Sequence, residues 1–358
     1  IKITTRQTVQ LHGIIKSNLK PIIATFNEFG IDSISACGDV NRNVMASTAI
    51  AKNKAYDEVY EFSKKISDNF LPESKAYHEI WLDGEKISED NENNKESFYQ
   101  KNYLPRKFKI VIAIPPFNDV DVYAHDIGLI AIIENENLIG FNITVGGGMG
   151  RTHGNENTFA RIGDLVGFIA KDKIIDAIYH IMAIQRDFGE RAERSLSRFK
   201  YTIHKYGIEW FKQEFTKRFG DEFEKSYDFK LDKRGDDYGF HQDYLGNYHF
   251  VTFVENGRIF GGLKNALREV ANENLANFRF SNNQNIIISD IKKSDKVRIE
   301  AILEKYQISN NYSPIKLDAI ACVALNTCSL ALAEGQRYLP SLIEKIEPLL
   351  LKHKLEKI

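Results

Sequence analysis

In Leu104-Pro-Arg106-Lys107-Phe108-Lys109, basic and apolar residues alternate. A strand here throws Lys107 and Lys109 onto one face and turns Phe108 and Ile110 into a core on the other. Two ammonium groups then converge with nothing acidic nearby in sequence. Such a face suits an anion, and it serves equally as a solvated outer face. Arg6, in Thr4-Thr-Arg-Gln-Thr-Val-Gln-Leu-His12, and Arg42, in Gly38-Asp-Val-Asn-Arg-Asn43, are further cations flanked by polar donors. Guanidinium groups pair bidentately with carboxylates and oxyanions and stay charged when buried, which suits a polycarboxylate cofactor. Each Arg taken singly is also at home on a surface. Gly146-Gly-Gly148 lets backbone approach a ligand closely or simply turns tightly, and is not a G-x-G-x-x-G fingerprint. Cys322-Val-Ala-Leu-Asn-Thr-Cys328 sets two thiols five residues apart. Two thiolates ligate two corners of an iron–sulfur cluster that needs four ligands, and a pair of inert core cysteines has the same spacing. Cys37 reads as structural.

The elements that must carry these residues follow from periodicity. Ile1 to Ile15 reads as a strand, and Leu19, Ile22, Ile23, Phe26 and Phe29 recur at helical spacing until Gly30 supplies a stop. Val59, Phe62, Ile66 and Phe70 mark a second amphipathic helix. Asp83 to Ser97 is polar and Asn-rich and predicts a solvated loop. Phe108 to Ile114, Ile127 to Ile133 and Gly140 to Val145 predict strands, followed by helices around Ile174 to Gln185 and Ile208 to Phe215, which is a sheet with helical cover. From His249 the pattern predicts a strand, an Asn256-Gly257 hairpin turn, a strand, a helix from Leu263 and a strand from Phe278. A helix is expected near Leu330, just after the cysteine pair. Phe278-Arg-Phe-Ser-Asn-Asn-Gln-Asn-Ile286 lies position by position on Ile1-Lys-Ile-Thr-Thr-Arg-Gln-Thr-Val9, which suggests an internal repeat.

Composition bounds the function. The 358 residues suffice for two or three cores. Lys plus Arg number 48 against 49 for Asp plus Glu, so no net field draws the chain to nucleic acid or to a membrane surface, and any anion site is local. No apolar run approaches a membrane span and no signal-peptide pattern opens the sequence, from which a cytoplasmic address is expected. Three cysteines are too few for a disulfide framework. Both ends read as cut.

Six segments, in order, resemble the signatures of the siroheme sulfite and nitrite reductase family. They are Thr4 to Gly13, Ala36 to Val44, Leu104 to Lys109, Gly140 to Met149, Asn282 to Asn285 and Ala321 to Cys328. The similarity is greatest to the assimilatory sulfite-reducing members. It implies an α+β fold: two ferredoxin-like halves forming one domain, an α/β siroheme-reductase catalytic domain, and the start of a second catalytic-type domain. The implied division is 1–102 for the first half, 103–235 for the catalytic domain, 236–312 for the second half and 313–358 for the start of the second catalytic-type domain. Siroheme is expected between the domains.

Residue by residue, the resemblance implies that Arg42, Lys107 and Lys109 surround the substrate, with a further Arg upstream of Ile1. Arg6, Gln10, His12 and Arg106 match cofactor-binding positions, as does Arg198, where some members have Lys. Cys322 and Cys328 match the first of two cysteine pairs that hold a 4Fe-4S cluster; the second pair falls beyond Ile358. The implied reaction reduces sulfite to sulfide with six electrons. The cofactors carry the electrons, leaving the protein to orient the anion, neutralise it and deliver protons. The donor is expected to be a separate NADPH-oxidising flavoprotein, with ferredoxin as the alternative. Two other readings are a nitrite reductase on the same scaffold, and a catalytically incomplete anion- and tetrapyrrole-binding module.

Overall fold

The computed structural model describes residues 1–72 and 97–355, with the backbone of 81–82 and 85–86 between them. Of the loop expected from Asp83 to Ser97, the backbone of 85–86 forms a short strand, and 83–84 and 87–96 lie outside the described residues. The strands are β1 (Lys2–Ile3), β2 (Val9–Gln10), β3 (Met45–Ala46), β4 (Trp81–Leu82), β5 (Glu85–Lys86), β6 (Ile110–Ala113), β7 (Ile127–Glu134), β8 (Asn137–Val145), β9 (Asp164–Ala170), β10 (Gly239–Gln242), β11 (Tyr248–Thr252), β12 (Asn277–Phe280) and β13 (Ile286–Ile291). The helices are α1 (Leu19–Glu28), α2 (Lys54–Asn69), α3 (Ile174–Phe188), α4 (Phe199–Tyr206), α5 (Ile208–Phe219), α6 (Gly261–Asn272), α7 (Lys296–Lys305), α8 (Pro314–Asp318) and α9 (Leu339–Lys352). They divide into two compact units: residues 1–30, 47–53 and 233–358 in one, and 31–46 with 54–232 in the other. Of the expected segment 1–102, the parts 31–46 and 54–102 therefore group with the strands that follow them.

The second unit is built on a five-stranded sheet in the order β3-β6-β7-β8-β9, parallel from β3 to β7 and antiparallel from β7 to β9. All four residues of β6 and the first six of β7 are buried, as continuous apolar runs in central strands require. Val59, Phe62 and Ile66 turn the apolar side of α2 inward, and the Phe62 ring meets Phe141 of β8 edge-on at 5.6 Å. Ile174, Ile178, Ile181 and Ile184 form the buried stripe of α3. Two elements had no clear sequence signature. Gly167, at φ 147, interrupts the alternation of β9, and the eight-residue α4 is separated from α5 only by Gly207 at φ 87.

The first unit carries the antiparallel sheet β10-β11-β13-β12, with Val270, Ile288, Ile299 and Ile302 fully buried between it and the α6 and α7 side chains. Three expectations need correction. Ile1 to Ile15 is not one strand: Thr4 donates its N–H to the Thr8 carbonyl at 2.9 Å and the chain reverses, pairing β1 with β2. The hairpin ahead of α6 turns at Asp243–Asn247, where the Asp243 carboxylate accepts the N–H groups of Leu245 and Asn247, each at 2.9 Å. Asn256-Gly257 instead sits in a short 3-10 turn, after which Arg258 bridges Lys2. The helix expected near Leu330 starts at Leu339, and the cysteine segment before it runs through irregular turns.

The internal repeat is visible in the backbone. Thr4 N–H to Thr8 O at 2.9 Å and Gln7 N–H to Thr4 O at 3.3 Å are matched by Ser281 N–H to Asn285 O at 3.0 Å and Gln284 N–H to Ser281 O at 3.2 Å. Gln7 and Gln284 both take left-handed φ, 54° and 67°. The registers agree as well: Ile3 faces Val9 as Phe280 faces Ile286. In the second copy the turn closes on a carboxylate, for Asp236 accepts from Ser281 Oγ at 2.6 Å, Asn285 Nδ2 at 2.7 Å and Asn283 Nδ2 at 3.0 Å. Ser281 and Asn285 are buried, so removing their acceptor strands donors away from water. Asp236→Ala is expected to cost about 2 kcal/mol in urea denaturation, and Asp236→Asn less. A loss below about 0.5 kcal/mol for Asp236→Ala would show that the turn does not depend on this carboxylate.

Candidate anion and cofactor site

Segments 39–42 and 104–108 are zipped side by side. Leu104 N–H donates to Asp39 O at 3.0 Å, Phe108 N–H to Val40 O at 3.1 Å, and Arg42 N–H to Phe108 O at 2.8 Å, a parallel bridge between Asn41 and Phe108. Phe108 and Ile110 are buried while Lys107 and Lys109 are partly exposed, the alternation that the sequence predicts. From beneath, the Tyr99 hydroxyl accepts the Asn41 N–H at 2.9 Å and donates to Phe70 O at 2.6 Å. Arg42 is braced through Nη1 to Ser35 O at 2.8 Å.

The zipper brings like charges together. Burial pushes the Lys107 ammonium below its ordinary range, and Arg106, Arg42 and Arg198 push it further, against a small opposing effect of Cys37. Cations from three separate segments thus act on Lys107 together. Arg198 is held by Asp126, a carboxylate with no solvent exposure, through Nη2 at 3.1 and 3.2 Å. Its Nε is buried and has no partner among the described residues.

Behind Arg198 lies a lysine that the sequence did not single out. Lys200, 1% exposed, donates to the carbonyls of Gly148 at 3.0 Å, Gly150 at 2.6 Å and Phe159. It fastens the glycine run after β8 onto the start of α4. The run itself needs its glycines: a Cβ at Gly147 would lie 2.2 Å from Tyr123 O, and one at Gly148 3.2 Å from Lys200 Cδ and 3.3 Å from Arg198 Nη2. Asp126 and Lys200 left faint traces, a lone acid directly ahead of an apolar strand and a Lys two residues after Arg198.

In the other unit, Arg6 lies on the β1–β2 turn, its N–H donating to Thr4 Oγ1 at 3.2 Å. His12 Nε2 meets Gln10 Oε1 at 3.0 Å, and Arg258 Nη1 meets His12 Nδ1 at 3.3 Å, so Nε2 carries the imidazole proton. Burial, then Arg258 and Lys2, pull the His12 pKa down. Lys2, 5% exposed, donates to Asn256 O and is lowered by burial and Arg258, with Cys322 opposing. Lys2 and Arg258 are thus cations beside His12 and Cys322 that sequence reasoning passed over. Cys322 and Cys328 are free thiols, exposed and partly exposed, on one loop closed by Cys328 N–H to Ala324 O at 2.9 Å. Cys37 is also free and lies exposed in the same unit as Lys107.

Residues 61–223 match the model of the nitrite and sulphite reductase 4Fe-4S domain, and residues 241–306 that of the nitrite/sulfite reductase ferredoxin-like half domain. Together these stretches span more than half of the chain. The chain belongs to the nitrite and sulfite reductase family. Within that family it is 54% identical, over 99% of its length, to the sulfite reductase [NADPH] hemoprotein beta-component of Leptospira biflexa, and 47% identical over 98% to that of Lysinibacillus sphaericus. It spans 65% and 62% of the lengths of those relatives. The structure of Mycobacterium tuberculosis NirA shares the fold, with a TM-score of 0.76 over 98% of this chain and 59% of that one, at 20% identity.

Burial and the neighbouring Arg198 lower Lys200 from 10.5 to about 8, with Asp126 opposing. The unfolded chain keeps this proton up to the ordinary lysine range while the folded chain releases it near 8. Between those values the unfolded state binds more protons, so stability from this group rises with pH there and is flat below. Denaturation midpoints of the parent minus those of Lys200→Met should accordingly climb between pH 8 and pH 10. A difference independent of pH over that span would contradict the lowered pKa.

Proposed function

We propose that this chain is the larger part of a sulfite reductase hemoprotein, which reduces sulfite to sulfide using siroheme and a 4Fe-4S cluster. The observation that carries the reading is the group of Arg42, Arg106, Lys107 and Arg198, partly buried and mutually repelling, with Asp126 the buried carboxylate that answers Arg198. Such a group is completed by anions, here the carboxylates of siroheme, of which there are eight, and the sulfite dianion. The buried Arg198 Nε and the close-packed glycine run fit that group. Relatives named as sulfite reductase hemoproteins favour sulfite over the nitrite alternative.

In this reading Arg6, Gln10, His12, Arg106 and Arg198 hold siroheme, and Cys322 and Cys328 supply two of the four cluster thiolates. When bound, siroheme and the cluster would relay to sulfite the electrons that the donor protein delivers. Arg42, Lys107 and Lys109 orient the sulfite oxygens and neutralise the dianion in a poorly hydrated pocket, where such pairing is far stronger than at a surface. Lys107 Nζ, its proton already loosened by burial and by three guanidinium groups, is the proton donor to a departing oxygen and reloads from solvent through its exposed side. The electron donor is an NADPH-oxidising flavoprotein, and ferredoxin is the alternative. Among the described residues no helix is long and apolar enough to cross a membrane, and the proposed location is the cytoplasm.

The complete protein is the material for the test. It should show the Soret and red-region absorbance of a siroheme, and Lys109→Met should keep that spectrum and the cluster while losing at least about tenfold in sulfite turnover, about 1.4 kcal/mol in the barrier. Parental turnover in Lys109→Met would remove Lys109 from the residues that orient sulfite, and a parent without tetrapyrrole absorbance would contradict the function.

A further inference from the structure

Asn256 and Gly257 look like a hairpin signal in the sequence but do other work in the fold. Asn256 is 4% exposed and left-handed, at φ 52 and ψ 24. Its three polar groups reach three separate segments. The backbone carbonyl accepts from Lys2 Nζ, Oδ1 accepts the Ala321 N–H at 3.1 Å, and Nδ2 donates to the Gln336 carbonyl at 3.1 Å. Gln336 in turn donates its N–H to the Cys322 carbonyl at 3.0 Å. The residue preceding Cys322 and the residue bonded to Cys322 are thus both fixed by one side chain.

The need for such a fixture is local. Residues 319–338 contain no helix or strand, so their backbone groups cannot find partners in a regular ladder. One amide side chain, with an acceptor and a donor on the same planar group, stands in for that ladder. Asn also tolerates left-handed φ better than most residues, its short side chain suiting such a turn. Gly257 follows at φ 67 with no room for a side chain, since a Cβ there would lie 2.8 Å from Ile3 O; the turn is seated against β1. Lys2 belongs to that strand, which ties the fixture to the β1–β2 turn carrying Arg6.

We infer that Asn256 is the positioning residue for Cys322, holding the thiol loop in the geometry in which it ligates the cluster. This rests on the cluster reading above. Asn256 acts on Cys322 through Ala321 and Gln336.

Asn256→Gly keeps the left-handed backbone and the carbonyl that Lys2 uses, and removes only the side-chain bonds. Asn256→Asp keeps the acceptor for Ala321 and loses the donor to Gln336. Both variants are made in the complete protein, with iron content, the electron paramagnetic resonance signal of the reduced cluster and peptide-level hydrogen exchange as readouts. The expected result for Asn256→Gly is at least a tenfold rise in exchange over residues 319–338 with residues 110–145 unchanged, together with a lowered iron content or an altered cluster signal. Asn256→Asp should fall between parent and Asn256→Gly. Faster exchange with parental iron and an unaltered signal would make Asn256 merely structural and overturn the inference, as would a glycine variant indistinguishable from the parent in all three. A parent with no four-iron signal at all would instead bring down the cluster reading itself. If Asn256→Gly fails to fold, Asn256→Asp carries the same comparison, because it leaves one of the two side-chain bonds in place.

Discussion

Cations held together away from water repel one another and also lose hydration, so a fold that gathers them must hold them by force from elsewhere. Here the force comes from backbone. The bonds from Leu104 and Phe108 across to segment 39–42, and from Arg42 back to Phe108, place Arg42 beside Lys107, and the Tyr99 hydroxyl braces that zipper from Phe70. Asp126 and the Lys200 carbonyl clamp then set Arg198 against the same group. Nearly every other feature of this unit, from the isoleucine-rich strands to the α2 and α3 cover, supplies the apolar backing that keeps these bonds dry and therefore strong.

The two turns of the internal repeat show the same physics resolved in opposite ways. Around Ser281 the chain provides its own carboxylate, Asp236, and three donors close on it. At the equivalent turn Thr4 bonds Thr8 through their hydroxyls, and the position matching Asn283 is the cation Arg6. In the Ser281 copy the carboxylate that gathers the donors belongs to the chain itself. The other places a cation where the first has an amide.

How far the sequence could be read depended on the range of the interaction. The Lys107–Lys109 alternation, the apolar stripes of α2 and α3 and the strands β6 to β8 are period-two or period-3.6 signals, and these are local. The pairing of Asn41 with Phe108 is not, because a parallel bridge across so many residues leaves no mark in either segment. Asn256-Gly257 misled because the left-handed conformation that makes Asn-Gly good in hairpins serves equally in a buried fixture. Ile1 to Ile15 misled similarly: its alternation is real on both sides of Thr4 to Thr8, and only the threonine turn, with Gln7 left-handed, reverses the chain. Lys200 was hidden because nothing in its neighbours announces that three carbonyls will surround it.

The central claim is that the gathered cations are completed by many carboxylates at once. The most direct measurement is equilibrium binding to the tetrapyrrole-free protein of two porphyrins of similar core, one bearing eight carboxylates and one bearing two, followed by fluorescence quenching at low and high salt. The account predicts that the octacarboxylate binds at least about tenfold more tightly, with a preference that shrinks as salt rises and is reduced in Arg198→Ala. Equal affinity for the two porphyrins, unaffected by salt, would contradict it.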